Sequence, residues 1–133
     1  MRSLASSESL RVVTPFRDIT DGTTNTMLYF ESAGLPDLYQ GHMKVGEAED
    51  AASGAWASWQ SIRIMSYTYD GSTVGGPCVI NCRNGWNAAY SFHTGGMNVA
   101  LCDGSVRFLS ENLDKSVISR LVGRADGEVV GEF

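Results

Sequence analysis

The clearest alternation of apolar and polar positions lies at Asn98–Leu109, which reads N-V-A-L-C-D-G-S-V-R-F-L. Asp103–Gly104 is a hairpin dipeptide between two β-prone runs. A two-residue type I′ loop would pair Cys102 with Ser105, Leu101 with Val106, Ala100 with Arg107 and Val99 with Phe108. Successive side chains point to opposite faces of a strand. This register therefore predicts one face of Val99, Leu101, Val106 and Phe108. The other face is mostly polar, with Asn98, Ala100, Cys102, Ser105 and Arg107. Immediately downstream, the pattern predicts a helix over Lys115–Val122. Asp114 is its N-cap and Gly123 its stop. Leu113 and Ile118 stand at hydrophobic-staple spacing. Val117, Ile118, Leu121 and Val122 form an apolar stripe expected to pack on the apolar face of the hairpin.

Upstream the pattern is weaker. Thr14–Pro15 suits the start of a short helical turn, with Phe16 and Ile19 on one side and Asp21–Gly22 ending it. Asn25–Glu31 reads as a strand, and its continuous apolar centre suggests burial on both faces. Residues 33–54, with Gly34, Pro36 and Gly41 and the acidic Glu47, Glu49 and Asp50, read as a loop with a solvated acidic face. Ile62, Ile64 and Tyr67–Tyr69 lie in a β-prone segment. Glu128–Val130 suggests a short final edge strand. The elements predict an α+β domain, an antiparallel sheet containing the 98–109 hairpin covered by the 115–122 helix. It occupies the whole chain, 1–133, with 1–13 a flexible N-terminal segment and 14–133 globular.

Composition narrows this little. With 133 residues the chain is long enough for one real core. Glycine is the outlier, 15 residues against a usual ~7%, and marks turns. The net charge is −5, from 10 Lys and Arg and 15 Asp and Glu. No basic cluster exists to hold a nucleic-acid backbone. No stretch approaches the ~20 apolar residues of a membrane helix, and the polar stretch through Ser9 lacks the apolar core of a signal peptide.

Several residues could carry chemistry. Cys78 and Cys82 are four apart, and Cys102 stands alone. Three readings stay open: a Cys78–Cys82 disulfide, free thiols, or a metal site adding His93 and Cys102. One knuckle is a poor zinc pattern, so the spacing favours the disulfide, with no metal and no cofactor. His93 could serve as a base with Asp103 or Asp114 and Ser91 or Ser105. However, no nucleophile elbow, H-E-x-x-H or P-loop accompanies it. The expectation is a structural histidine and no enzyme. Asp103 is explained by its turn. Trp56, Trp59, Trp86 and Tyr90 are candidates for a carbohydrate platform, and Asp21, Asp37, Asp70 and Asp103 for a Ca²⁺ site. Amphipathic aromatics equally fill the edges of small β-rich cores.

Six blocks in order extend the picture. His93, nine residues, then Asp103–Gly104 resembles the H-X9-DG signature of prepilin-processing-associated proteins, the domain-of-unknown-function family 1559 abundant in planctomycetes. Ile19–Thr26 resembles its I-x-D-G-T-S-N-T segment, with Thr24 in place of Ser. Glu31–Asp37 resembles its E-x-A-G-R-P-D block, with Leu35 in place of Arg. Gly54–Trp56, Cys78–Cys82 and Gly127–Val130 resemble its G-A-W, C-x-I-N-C and C-terminal blocks.

Members of that family typically begin with a prepilin peptide and an apolar helix. The resemblance therefore implies the exported, pseudopilin-like head of a bacterial protein whose parent is anchored by a pilin-type helix. It implies a periplasmic or cell-surface location, where a Cys78–Cys82 disulfide persists. It also implies a surface or secretion-associated role related to type II secretion or type IV pili, with protein partners or self-assembly and no nucleic acid. The family brings no activity to carry onto residues here. An extracytoplasmic module for carbohydrate or Ca²⁺ is the alternative.

Overall fold

A computed structural model describes residues 14–48, 64–128, 130, 131 and 133. The N-terminal segment 1–13, Glu49, Asp50, the G-A-W block with Trp56 and Trp59, Ile62 and Val129 lie outside the described residues. The chain runs through a 3₁₀ turn, Phe16–Asp18, then β1 (Met27–Phe30), β2 (Asp37–Gln40) and β3 (Met43–Glu47). A second 3₁₀ turn, Gly85–Asn87, precedes β4 (Gly96–Leu101), β5 (Val106–Ser110) and α1 (Lys115–Val122). The strands form an antiparallel β1–β4–β5 sheet and a separate β2–β3 hairpin. The fold is α+β, as the sequence predicts, with the helix following the strands.

The core lies between the central strand and the helix. Met97, Val99 and Leu101 of β4 and Leu109 of β5 meet Ile118 and Leu121 of α1, together with Val79, Ile80, Ala89 and Val130. Helix α1 forms where expected. The Asp114 carboxylate accepts the Ser116 N–H at 2.8 Å, satisfying a donor at the helix start. Its buried stripe is narrower than predicted, because Val122 stays exposed while Ile118 and Leu121 are buried.

The hairpin forms, but one residue out of the expected register. Ala100 pairs with Val106, Val99 with Arg107, Asn98 with Phe108 and Met97 with Leu109. The Leu101 N–H donates to Ser105 O at 2.9 Å and the Gly104 N–H to Leu101 O at 3.0 Å. The loop is thus three residues, Cys102–Asp103–Gly104, with only Gly104 at positive φ, +86°. That is a type I turn closed by a glycine bulge rather than a type I′ turn. The consequence is the one that a slip of one residue always has. Arg107 and Leu109 share the core face with Met97, Val99 and Leu101, while Val106 and Phe108 turn to solvent with Asn98 and Ala100.

Other expectations are corrected as well. Strand β1 is an edge strand, with Leu28 and Tyr29 exposed rather than buried on both faces. The region read as a loop holds the β2–β3 hairpin, turned at Gly41–His42 with Gly41 at φ +53°. Pro15, not Thr14, sits at the cap of the first turn, and no side chain caps it. The Thr14 hydroxyl instead accepts from Arg124 at 2.9 Å. Glu128 and Val130 are not in a strand, and Val130 is buried in the core.

Candidate functional site

His93 sits just before β4. Its Nε2 lies 3.4 Å from Glu31 Oε1, and its ring stands edge-on to Phe108, 6.5 Å between centroids. Glu31 follows β1, so the β1–β4 pairing brings the two together. The Glu31 carboxylate also accepts the Asn98 backbone N–H at 2.8 Å and its side-chain amide at 3.3 Å. The His93 backbone N–H donates to Ser91 Oγ at 3.1 Å, and Ser91 Oγ donates to Gly96 O at 2.6 Å. The Ser91 hydroxyl is therefore buried and committed to the backbone. Glu31, Ser32, Ala33, Ser91, Phe92 and His93 line a shallow hollow of about 430 Å³.

Asp103–Gly104 is at the other end of β4. Six strand residues separate the two motif ends, which at ~3.4 Å per residue is about 20 Å. The Asp103 carboxylate accepts the Ser105 hydroxyl at 2.7 Å and its N–H at 2.8 Å. These two bonds, the hydroxyl foremost, hold its pKa below the ordinary carboxylate value. The tip is anchored to the D-G-T-T-N-T segment. Cys102 N–H donates to Thr26 O at 2.9 Å and Asp103 N–H to Thr23 O at 3.1 Å. His93 and Asp103 thus share no cleft. The imidazole faces Glu31, while Asp103 and Ser105 lie at the hairpin tip and Asp114 caps α1.

Asp21, Asn81 and Asn84 are cross-ties too. Asp21 accepts the backbone N–H groups of Asp126 at 2.9 Å and Gly127 at 3.0 Å, chiefly the first of which lowers its pKa. Asn81 sits at φ +61°. Its Oδ1 accepts the Ser91 N–H at 2.8 Å and its Nδ2 donates to Gly96 O at 3.2 Å. Asn84, fully buried, donates to Ala33 O at 3.1 Å and Asp37 O at 2.8 Å, and accepts the Tyr39 N–H at 2.7 Å. A fully buried asparagine must find such partners. The sequence alone assigns no role to the side chains of Glu31, Asn81 and Asn84. The available signal is a lone amide inside an apolar or turn-forming run, as in Val79–Ile80–Asn81–Cys82.

Cys78 and Cys82 are joined as a disulfide, which removes both from any metal set. Cys102 is free and half-buried; burial, then the Asp103 charge, raises its pKa. Among the described residues no group of three or more His, Cys, Asp or Glu is placed to hold a metal ion. Asp37 is paired with Lys44 at 2.8 Å. Asp70 is bonded by Thr68 and Ser72. Of the aromatic candidates, Trp56 and Trp59 lie outside the described residues. Trp86 is on the surface, 41% exposed. Tyr90 is fully buried, so it offers no face to a ligand. Its hydroxyl donates to Gly41 O at 2.5 Å, and its ring packs with Tyr39 and Phe92.

The family described as protein of unknown function (DUF1559) matches residues 6–116. The chain belongs to that family. The match runs from the N-terminal segment through the first residues of α1 and spans the I-x-D-G-T, E-x-A-G, C-x-I-N-C and H-X9-DG segments. No curated protein and no solved structure matches the chain. In this DUF1559 chain the quoted segments meet pairwise: Glu31 with His93, Asp103 with Thr23 and Asp21 with Gly127. Among the described residues no helix is long and apolar enough to cross a membrane.

Proposed function

We propose that this DUF1559 chain is the extracytoplasmic, pseudopilin-like head of a bacterial surface or secretion-associated protein, acting through protein contacts. Its parent is anchored by a pilin-type helix. The observation that carries this reading is a contrast. The motif side chains are engaged within the chain, His93 with Glu31 and Asp103 with Ser105, whereas the outer face of the sheet presents Tyr29, Val106 and Phe108 to solvent. Apolar side chains collected on one face of a sheet mark a contact surface rather than a reaction centre. The disulfide favours an oxidising compartment.

The test is thiol labelling of the protein taken from its native host and alkylated before any reduction. Only Cys102 should label, and reduction should then add about 2 Da, two thiols replacing one S–S bond. All three cysteines labelling at once would place the chain in a reducing compartment and sink the reading. The coding sequence should also specify an apolar prepilin helix; its absence from the parent protein would count equally against it.

A further inference from the structure

The Cys78–Cys82 loop is a junction of several segments. Val79 and Ile80 are buried in the core. The Cys78 N–H donates to Tyr67 O at 2.9 Å, and Cys82 O accepts the Gly41 N–H at 2.9 Å. Between the two cysteines, Asn81 holds the turn that carries His93 into β4. Its Oδ1 accepts the Ser91 N–H, and its Nδ2 reaches Gly96 O, Glu111 Oε2 at 3.3 Å and His93 O at 3.5 Å. Asn81 does this from a left-handed backbone, φ +61°, a conformation that an L-residue leaves when it is free to. Closing the loop with an S–S bond restricts that freedom. The two ends of the bond are not equivalent. Both cysteines border a shallow hollow of about 190 Å³, beside Gly41, His42, Tyr69 and Asn112. However, Cys82 is 2% exposed, whereas Cys78 is half-buried. Accessible sulfurs are the ones that exchange, and buried ones are inert.

We propose that this disulfide is an exchange site for a small thiol, entered at Cys78, and that opening it releases the turn carrying His93. The thiolate of the small thiol attacks Cys78 Sγ. The S–S bond breaks, and Cys82 Sγ leaves with the electron pair and takes a proton from water. The product is a mixed disulfide on Cys78. A second thiolate then attacks the sulfur of the bound small thiol, which frees Cys78 as a thiolate and leaves the two small thiols joined as their own disulfide. The protein disulfide gains two electrons and the small thiols lose them. The fold receives the leaving sulfur: Cys82 Sγ lies 3.2 Å from Ile80 O, within hydrogen-bond reach once it is protonated. With the loop open, Asn81 is free to leave its left-handed conformation, and the Ser91 N–H then loses its acceptor. Exchange at the C-x-I-N-C segment is thereby coupled to the start of the H-X9-DG segment. The site goes beyond the protein-contact reading and does not rest on it.

Reduced glutathione is the probe, applied to the oxidised full chain in a Cys102→Ser background that removes the third thiol. Acid quenching and peptide mapping should find the mixed disulfide on Cys78 and none on Cys82. Cys82→Ser removes the thiol that would close the loop again. It should take up glutathione from glutathione disulfide roughly tenfold or more faster than Cys78→Ser does. Should the adduct be too short-lived to trap, the serine pair decides; should a serine variant unfold, the mapping decides. Amide exchange reads the coupling. On full reduction the Ser91 N–H should quicken roughly tenfold or more beyond the Leu101 N–H, which is bonded to Ser105 O within the hairpin. Glutathione on Cys82, or a disulfide still closed after a day in about 10 mM glutathione, overturns the site. Equal quickening of the two amides overturns the coupling. A chain found reduced in its host would overturn the location and leave this chemistry standing, whereas a disulfide closed to glutathione would overturn the chemistry alone.

Discussion

Removing the Asn81 side chain tests whether the blocks around β4 act as internal brackets. In Asn81→Ala the Ser91 N–H loses its only described acceptor, Oδ1 at 2.8 Å, inside a site where Ser91 is 2% exposed. An orphaned buried donor costs about 1–3 kcal/mol. Gly96 O is not orphaned, because it still accepts from Ser91 Oγ at 2.6 Å. The backbone adds a second cost. Asn81 sits at φ +61°, where asparagine is tolerated and a Cβ without a local hydrogen bond costs about 1 kcal/mol more. The expected loss is therefore about 2–4 kcal/mol. Urea denaturation followed by circular dichroism reads it as a lower midpoint at constant slope. Asn81→Gly separates the two causes. It removes the same hydrogen bonds but accepts the left-handed backbone, so it should recover about 1 kcal/mol relative to alanine. A midpoint for Asn81→Ala within about 0.5 kcal/mol of the parent chain would refute the bracket, since that is the range of an ordinary surface change. A glycine variant less stable than the alanine one would refute the backbone part.

Four further outcomes follow from the same geometry. Gly96→Ala should destabilise by more than about 3 kcal/mol in the same assay, because its Cβ would lie 1.9 Å from Leu109 O across the β4–β5 ladder. Gly104→Ala, with open space but φ +86°, should cost only about 1 kcal/mol. In acid, Asp70, Asp103 and Asp114 have pKa values held down mainly by Thr68, Ser105 and Ser116 respectively. A carboxyl with a depressed folded pKa contributes stability above its unfolded value and loses it as pH falls through the folded one. The melting temperature should therefore be level near neutrality and drop below about pH 4, and Asp103→Asn should soften that drop. Reducing Cys78–Cys82, a closure of only four residues' separation, should lower stability by about 2 kcal/mol from loop entropy. An unchanged midpoint would show that the local backbone alone holds that loop.

What the sequence makes legible depends on whether a signal is local. The α1 helix is local: Asp114, the staple residues and the stripe all lie within ten positions, and its bounds form as expected. The hairpin is legible as a hairpin, but its register is not. Asp-Gly fits both a two-residue loop and a three-residue loop with a glycine bulge. The choice is made elsewhere, by the Thr23 and Thr26 carbonyls that bind the tip and by the room in the core for Met97 and Leu109. The β2–β3 hairpin is not legible in the sequence because its strands are exposed or half-buried throughout, so no alternation marks them. The glycine opening its two-residue loop was the one available cue.

The site was legible in a different sense. The blocks could be picked out as unusual, and the disulfide could be favoured from spacing, but their partners are remote. Glu31 and Asn98 are 67 residues apart, and Asn84 and Ala33 are 51 apart. The register slip also ties the two halves of the problem together. Had the hairpin formed with Val106 and Phe108 inward, the outer face would be polar and the Phe108 ring could not meet His93. The bulge at Gly104 turns Phe108 outward, which gives the imidazole its aromatic neighbour and the sheet its apolar edge. One turn thus determines both the surroundings of the first motif residue and the surface left for a partner.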